Sequence, residues 1–126
     1  MKPEKITVTK GGAEMQLSFP GAEPCLLSAE FLRVHSPSAE VKGHGPGQEV
    51  LQTGKLGVRI VAVERSGNYA ILIRFDDGHD TGIYSWEYLR ELCENRDHYW
   101  NRYLDRLSEA GKSRDPEIQP VKFMDP

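Results

Sequence analysis

The chain has 126 residues, 38% of them hydrophobic and 28% charged, which suits one domain with a modest core and excludes a disordered chain. A net charge of −3 and a pI near 5.8 argue against a nucleic-acid binder that works through bulk electrostatics, because neutralising phosphates takes clustered Lys and Arg. No apolar run approaches the ~20 residues of a membrane span, and the opening MKPEKITVTK lacks the apolar core of a signal peptide, so a cytoplasmic protein is expected, with no membrane or nucleic-acid partner.

Residues 5–9 and 14–19 alternate polar and apolar, with Gly11-Gly12 between them, and predict an N-terminal β-hairpin that Pro20-Gly21 ends. An extended piece, Pro24 to Leu27, leads to Ser28, a good N-cap for a short helix over SAEFLRVHS that stops before Pro37. Residues 42–56 read as a loop, with three Gly and one Pro between 43 and 47. Residues 57–65 and 69–75 are the strongest strands, joined at Ser66-Gly67-Asn68. HDTGIY follows as a third, completing an antiparallel meander. Period two puts Tyr69, Ile71, Ile73 and Phe75 on one face, expected to pack on the core.

Ser85 caps a helix with Trp86, Leu89 and Cys93 on one stripe, and residues 96–110 repeat the pattern with Tyr99, Trp100, Tyr103, Leu104 and Leu107 up to Gly111. The fold class is therefore α+β: an N-terminal β-hairpin, a short helix, an antiparallel meander, and C-terminal helices packed on one face. One domain over residues 1–110 is expected, followed by an extended or frayed tail over 111–126. Cys25 and Cys93 lack CxxC spacing and are expected to be two free thiols.

The densest constellation is FDDGHDTGIYSWEYLREL, with His79 between Asp76, Asp77 and Asp80. A carboxylate beside a His can orient it, but hydrolysis also needs a nucleophile and an oxyanion site, and Ser85 and Thr81 qualify only by proximity. Asp-Asp-Gly is also an ordinary tight turn. GKLG at 54–57 and GHGPG at 43–47 do not make a phosphate-binding loop. The four His, at 35, 44, 79 and 98, and the two Cys show no compact ligand spacing. Both Trp and four of the five Tyr crowd the last two helices and their approach, as core or as an aromatic interface.

FDDGHDTGIYSWEYL resembles the acidic-Gly-His turn and aromatic helix start of the gamma-butyrobetaine hydroxylase-like N-terminal domain family, and SAEFLRVHSPSAEV resembles that family's first motif. The resemblance covers roughly residues 5 to 93. It implies a small domain that, in the hydroxylases, precedes an oxygenase domain and holds a structural zinc through three Cys and one His. The His falls on His79 and the three Cys on Ser36, Ser38 and Val41, so no cofactor is expected and the zinc site is expected to be degenerate. The oxygenase chemistry belongs to a separate domain and does not carry over.

The family also occurs fused to P-loop iron–sulfur carrier ATPases and as a stand-alone bacterial protein, which this chain resembles. That implies a non-catalytic docking module whose protein partner is an iron–sulfur carrier ATPase or an iron enzyme, bound through Arg33, His79, Tyr84 and Trp86. The alternative is a zinc-binding module with a non-standard site built from His79, His35, His44 and Cys25; a small enzyme using His79 with Asp77 or Asp80 is a third. Self-association through the aromatic-rich last helix, as a homodimer, is a further expectation.

Overall fold

The computed structural model describes residues 1–117, which form two three-stranded antiparallel sheets and four helices, the α+β class expected. Strand β1 (Lys5–Thr9) pairs with β2 (Glu14–Ser18), setting Ile6 opposite Leu17 and Val8 opposite Met15. Alternation then sends Met15 and Leu17 fully into the core. A third strand, β3 (Cys25–Ser28), lies on the other edge of β2, so the expected hairpin is a three-stranded sheet. Four residues are too few to show a period; the open edge of β2 makes CLLS a strand.

Ser28 ends β3 and starts helix α1 (Ala29–Val34), its Oγ accepting the Phe31 N–H at 3.0 Å. All six residues of α1 are buried, Glu30 and Arg33 included. A single turn, α2 (Ala39–Lys42), follows under a Ser38 cap, again too short to show a period in sequence.

The second sheet runs β4 (Ile60–Ser66), β5 (Ala70–Phe75) and β6 (Gly82–Ser85) in spatial order. Ile71, Ile73 and Phe75 enter the core, whereas Tyr69, expected beside them, is 77% exposed because it belongs to the turn and not to the strand's pleat. Helix α3 (Trp86–Glu94) begins at Ser85, whose Oγ accepts the Tyr88 N–H at 3.1 Å. Helix α4 (Arg96–Ala110) ends at Gly111 in the left-handed conformation, φ 66°, that favours glycine. One continuous core joins both sheets, α1 and α3 through residues such as Met15, Leu32, Ile73, Tyr84 and Leu89. Helix α4 makes a smaller cluster, with Tyr103 and Leu107 packed on Val34.

Two expectations need correction. Cys25 and Cys93 are not free thiols: a disulfide with Cα atoms 6.1 Å apart ties β3 to α3. The compartment argument concerned average redox chemistry, and the sequence separation of 68 hid the proximity of the two cysteines. Of the two forms expected for the tail, extended or frayed, the described part to residue 117 is irregular but held in place, not frayed. The Arg114 guanidinium pairs with buried Glu30 at 2.6 and 2.8 Å and lies over the Trp100 ring. The Gly54 and Leu56 N–H groups donate to the Ser113 and Arg114 carbonyls, each at 3.0 Å. A carboxylate 5% exposed needs a countercharge, and the chain beyond α4 supplies it. The rest of that expectation, residues 118–126, lies outside the described residues. No helix among the described residues is long and apolar enough to cross a membrane.

Candidate functional site

His79 sits where the β5–β6 turn meets the segment after α1. Asp77 shapes that turn: its Oδ1 accepts the His79 backbone N–H at 3.1 Å, while Oδ2 takes Arg33 Nε at 2.8 Å and Lys55 Nζ at 2.6 Å. Burial alone would raise the Asp77 carboxyl, but Lys55, the His79 N–H and Arg33 outweigh it and bring it down to about 2. Arg33 also donates to Gln52 Oε1 at 3.0 Å, tying α1 to the glycine-bearing loop.

The imidazole itself is 2% exposed and faces residues 36 to 40. Its Nε2 lies 2.8 Å from Ser36 Oγ, and Nδ1 lies 3.3 Å from Glu40 Oε2, at ion-pair distance but without hydrogen-bond geometry. One ring nitrogen is therefore hydrogen-bonded to Ser36, while the other faces the Glu40 carboxylate without bonding it. Ser38 Oγ meets Thr81 Oγ1 at 2.9 Å, completing a polar seam between the two segments.

Those residues do not fit a zinc ion. Ser36 does stand against His79, while the Ser38 hydroxyl meets Thr81; both offer only neutral oxygens, and Ser36 already satisfies the one ring nitrogen that faces it. Val41 has no donor. The non-standard alternative does not assemble either: Cys25 is bonded to Cys93, His35 Nδ1 faces the Phe31 carbonyl at 2.8 Å, and no group of three metal-ligating side chains converges among the described residues. The carboxylates weighed for catalysis are engaged elsewhere, Asp77 with Arg33 and Lys55, and Asp80 with Arg74 at 3.4 Å.

Packing explains Gly82. A Cβ there would lie 2.7 Å from Ser36 Oγ and 3.0 Å from a ring carbon of fully buried Tyr84. Gly82→Ala is expected to lower stability by about 1–3 kcal/mol by prising Ser36 off His79, which chemical denaturation checks.

Burial, first of all, lowers the pKa of both His35 and His79 below the ordinary 6.5. A histidine lowered in the folded state holds fewer protons than in the unfolded chain. Its stabilising contribution is complete above about pH 6.5 and is lost as pH falls through the folded value. The unfolding midpoint should therefore drop between about pH 7 and pH 5, and His79→Asn should flatten that slope.

The four residues expected to contact a partner are brought close but are spent inside the fold. Arg33 and Trp86 are 7% exposed and Tyr84 is 0% exposed. The Tyr84 hydroxyl donates to the Leu32 carbonyl, and Trp86 Nε1 donates to the Asn68 carbonyl at 2.9 Å. As a solvent-facing patch the quartet is not available.

The concave surface adjoins that seam at Ser36 and lies between the 43–52 loop and helices α3 and α4. It is a cleft of about 210 Å³. Its walls are aromatic and aliphatic, with Tyr88, Tyr99, Tyr103, His35, Val50 and Leu51. The hydroxyls are fixed by internal bonds: Tyr99 donates to Glu91 Oε2 at 2.6 Å and Tyr103 to the Gln52 carbonyl at 2.7 Å. Burial raises the Tyr103 hydroxyl to about 12, so it remains a donor at neutral pH.

Lys42, Arg102 and Arg106 stand at the rim, Lys42 lying 4.5 Å from the centre of the Tyr88 ring. The two arginines, one turn apart on α4, have no hydrogen bond or ion pair among the described residues. A second hollow, of about 360 Å³ beside Leu26 and Trp100, holds charges that are already matched: Glu14 pairs with Lys10 at 2.8 Å and Arg96 with Asp97 at 3.4 Å. Sequence reasoning missed Arg102 and Arg106. The signal was there in Tyr99, Arg102, Tyr103 and Arg106, whose spacing places them on one side of a helix.

No curated protein matches the chain. A solved NMR structure is 50% identical, covers 98% of this chain and 97% of its own, and superposes with a TM-score of 0.81. A second NMR structure is 44% identical over 98% of this chain and 93% of its own, with a TM-score of 0.77. A crystal structure of a protein of unknown function from Acidithiobacillus ferrooxidans, in the DUF971 family, is 35% identical over 72% of this chain and 91% of its own, with a TM-score of 0.59. The sequence profile described as "Gamma-butyrobetaine hydroxylase-like, N-terminal" matches residues 6–90, spanning both halves of the His79 seam, and the chain belongs to that family.

Proposed function

We propose that the protein is a non-catalytic docking module that receives a protein partner in the cleft between the 43–52 loop and α4. One observation carries this: an aromatic-walled cleft whose rim bears two arginines with no ion-pair partner among the described residues. Tyr and Arg, presented together around a concavity, are the side chains that anchor protein interfaces. The motif around His79 supports this role from behind. It fixes α1 and, through Arg33 and Gln52, the near end of the loop. The family's fusions favour an iron–sulfur carrier ATPase or an iron-dependent enzyme as the partner.

Capture from native lysate tests the proposal with three baits: the wild type, Arg102→Glu/Arg106→Glu, and Ile83→Ser. Ile83 is 52% exposed on the second sheet and does not line the cleft. Proteins retained by the wild type and Ile83→Ser but lost from the arginine variant would support docking at the cleft. Identical recovery from all three would refute it.

A further inference from the structure

The cleft's charge and size specify what enters it. Its volume, about 210 Å³, falls below the ~300 Å³ at which pockets for cofactors and drug-sized ligands begin, and leaves room for one large side chain. The chain carries a net charge of −3, yet three cations gather at this rim. Two carboxylates oppose them. Glu91 is engaged by the Tyr99 hydroxyl at 2.6 Å. Glu49 sits on the loop, where its own backbone N–H, and then the field of Arg106 and Arg102, hold its carboxyl below the usual range. Neither carboxylate is paired with Lys42, Arg102 or Arg106 among the described residues, so the rim's cations are left to meet an incoming anion.

Resting on the docking role above, we propose that the cleft recognises an acidic segment of the partner, seating one bulky apolar or aromatic side chain against Tyr99 and Leu51 while flanking carboxylates pair with Arg102 and Arg106. Two arginines one helical turn apart on α4, about 6 Å along the axis, can each pair with a carboxylate flanking a buried anchor. Glu49, a carboxylate lining the same cleft, then repels the segment's carboxylates.

The test uses three fluorescein-labelled peptides and the intact protein, read by fluorescence anisotropy. One peptide has glutamates around a central phenylalanine. In the second, lysines replace the glutamates; in the third, serine replaces the phenylalanine. The wild type should bind the first, more weakly at higher salt, bind the third at least tenfold more weakly, and leave the second unbound. Arg102→Ala/Arg106→Ala should lose at least tenfold in affinity for the first peptide, and Glu49→Gln should gain several-fold. No binding at millimolar peptide, equal binding of acidic and basic peptides, or unchanged affinity in the arginine variant would overturn the proposal. Competition by sodium phenylacetate at the peptide's own concentration would also overturn it, in favour of a small carboxylate. A partner captured in a cleft-dependent way but not displaced by the acidic peptide would sink the acidic-segment inference alone. With no cleft-dependent partner at all, the docking role fails too.

Discussion

Trp86→Ala is expected to cost about 3–5 kcal/mol of stability, the range for removing a large buried aromatic. The ring is 7% exposed, belongs to the main core, and its Nε1–H is the donor to the Asn68 carbonyl in the β4–β5 turn. Truncation would empty a space between α3 and both sheets and leave that carbonyl to solvent. Urea denaturation followed by circular dichroism measures the loss. A change below about 1 kcal/mol would place Trp86 at the periphery, as a side chain free to serve an interface. The distinction decides how the turn at His79 and the start of α3 are understood: a partner anchor costs affinity when removed, whereas a core anchor costs the fold.

Breaking the Cys25–Cys93 bond should be nearly as damaging. Closing a loop whose ends are 68 positions apart restricts the unfolded chain enough to contribute about 2–4 kcal/mol. Cys93→Ser, Cys25→Ser and the double variant should lose the same amount, because the crosslink disappears once in each. Excess dithiothreitol should bring the wild type to the same unfolding midpoint. Additive losses in the double variant, or a wild type indifferent to reductant, would mean that the two sulfurs contribute only by packing.

Much of the fold was legible because its elements announce themselves locally. Ser28 and Ser85 each precede an apolar-periodic run and each caps a helix through its hydroxyl. Strands β4 and β5 are rich in Ile and Val with an obvious turn between them. What escaped were features whose cause is distant in sequence. Strand β3 exists because β2 offers it an edge. The disulfide and the Arg114–Glu30 pair join residues 68 and 84 positions apart.

The site divides in the same way. His79, Ser36 and Ser38 were linked through the resemblance, and the structure does bring Ser36 to His79. Their consequence was misjudged, since a residue prominent in sequence was taken for a surface residue. Aromatic residues beside a sharp turn serve a core or an interface equally well by composition, and only burial separates the two. Arg102 and Arg106 were passed over, because isolated arginines on an amphipathic helix usually form its solvated face. The loop folding back over α4 gives them a cleft to guard.

The central claim is that partners meet this protein at the cleft and not at the outer sheet. A photo-crosslinking residue placed at Val50, which is 52% exposed on the cleft wall, and separately at Tyr69, 77% exposed at the β4–β5 turn, tests it most directly. Irradiation in native lysate should give a discrete partner adduct from Val50 that disappears when Arg102→Glu/Arg106→Glu is added, and none from Tyr69. An adduct from Tyr69 alone, or one from Val50 that survives loss of both arginines, would contradict the account.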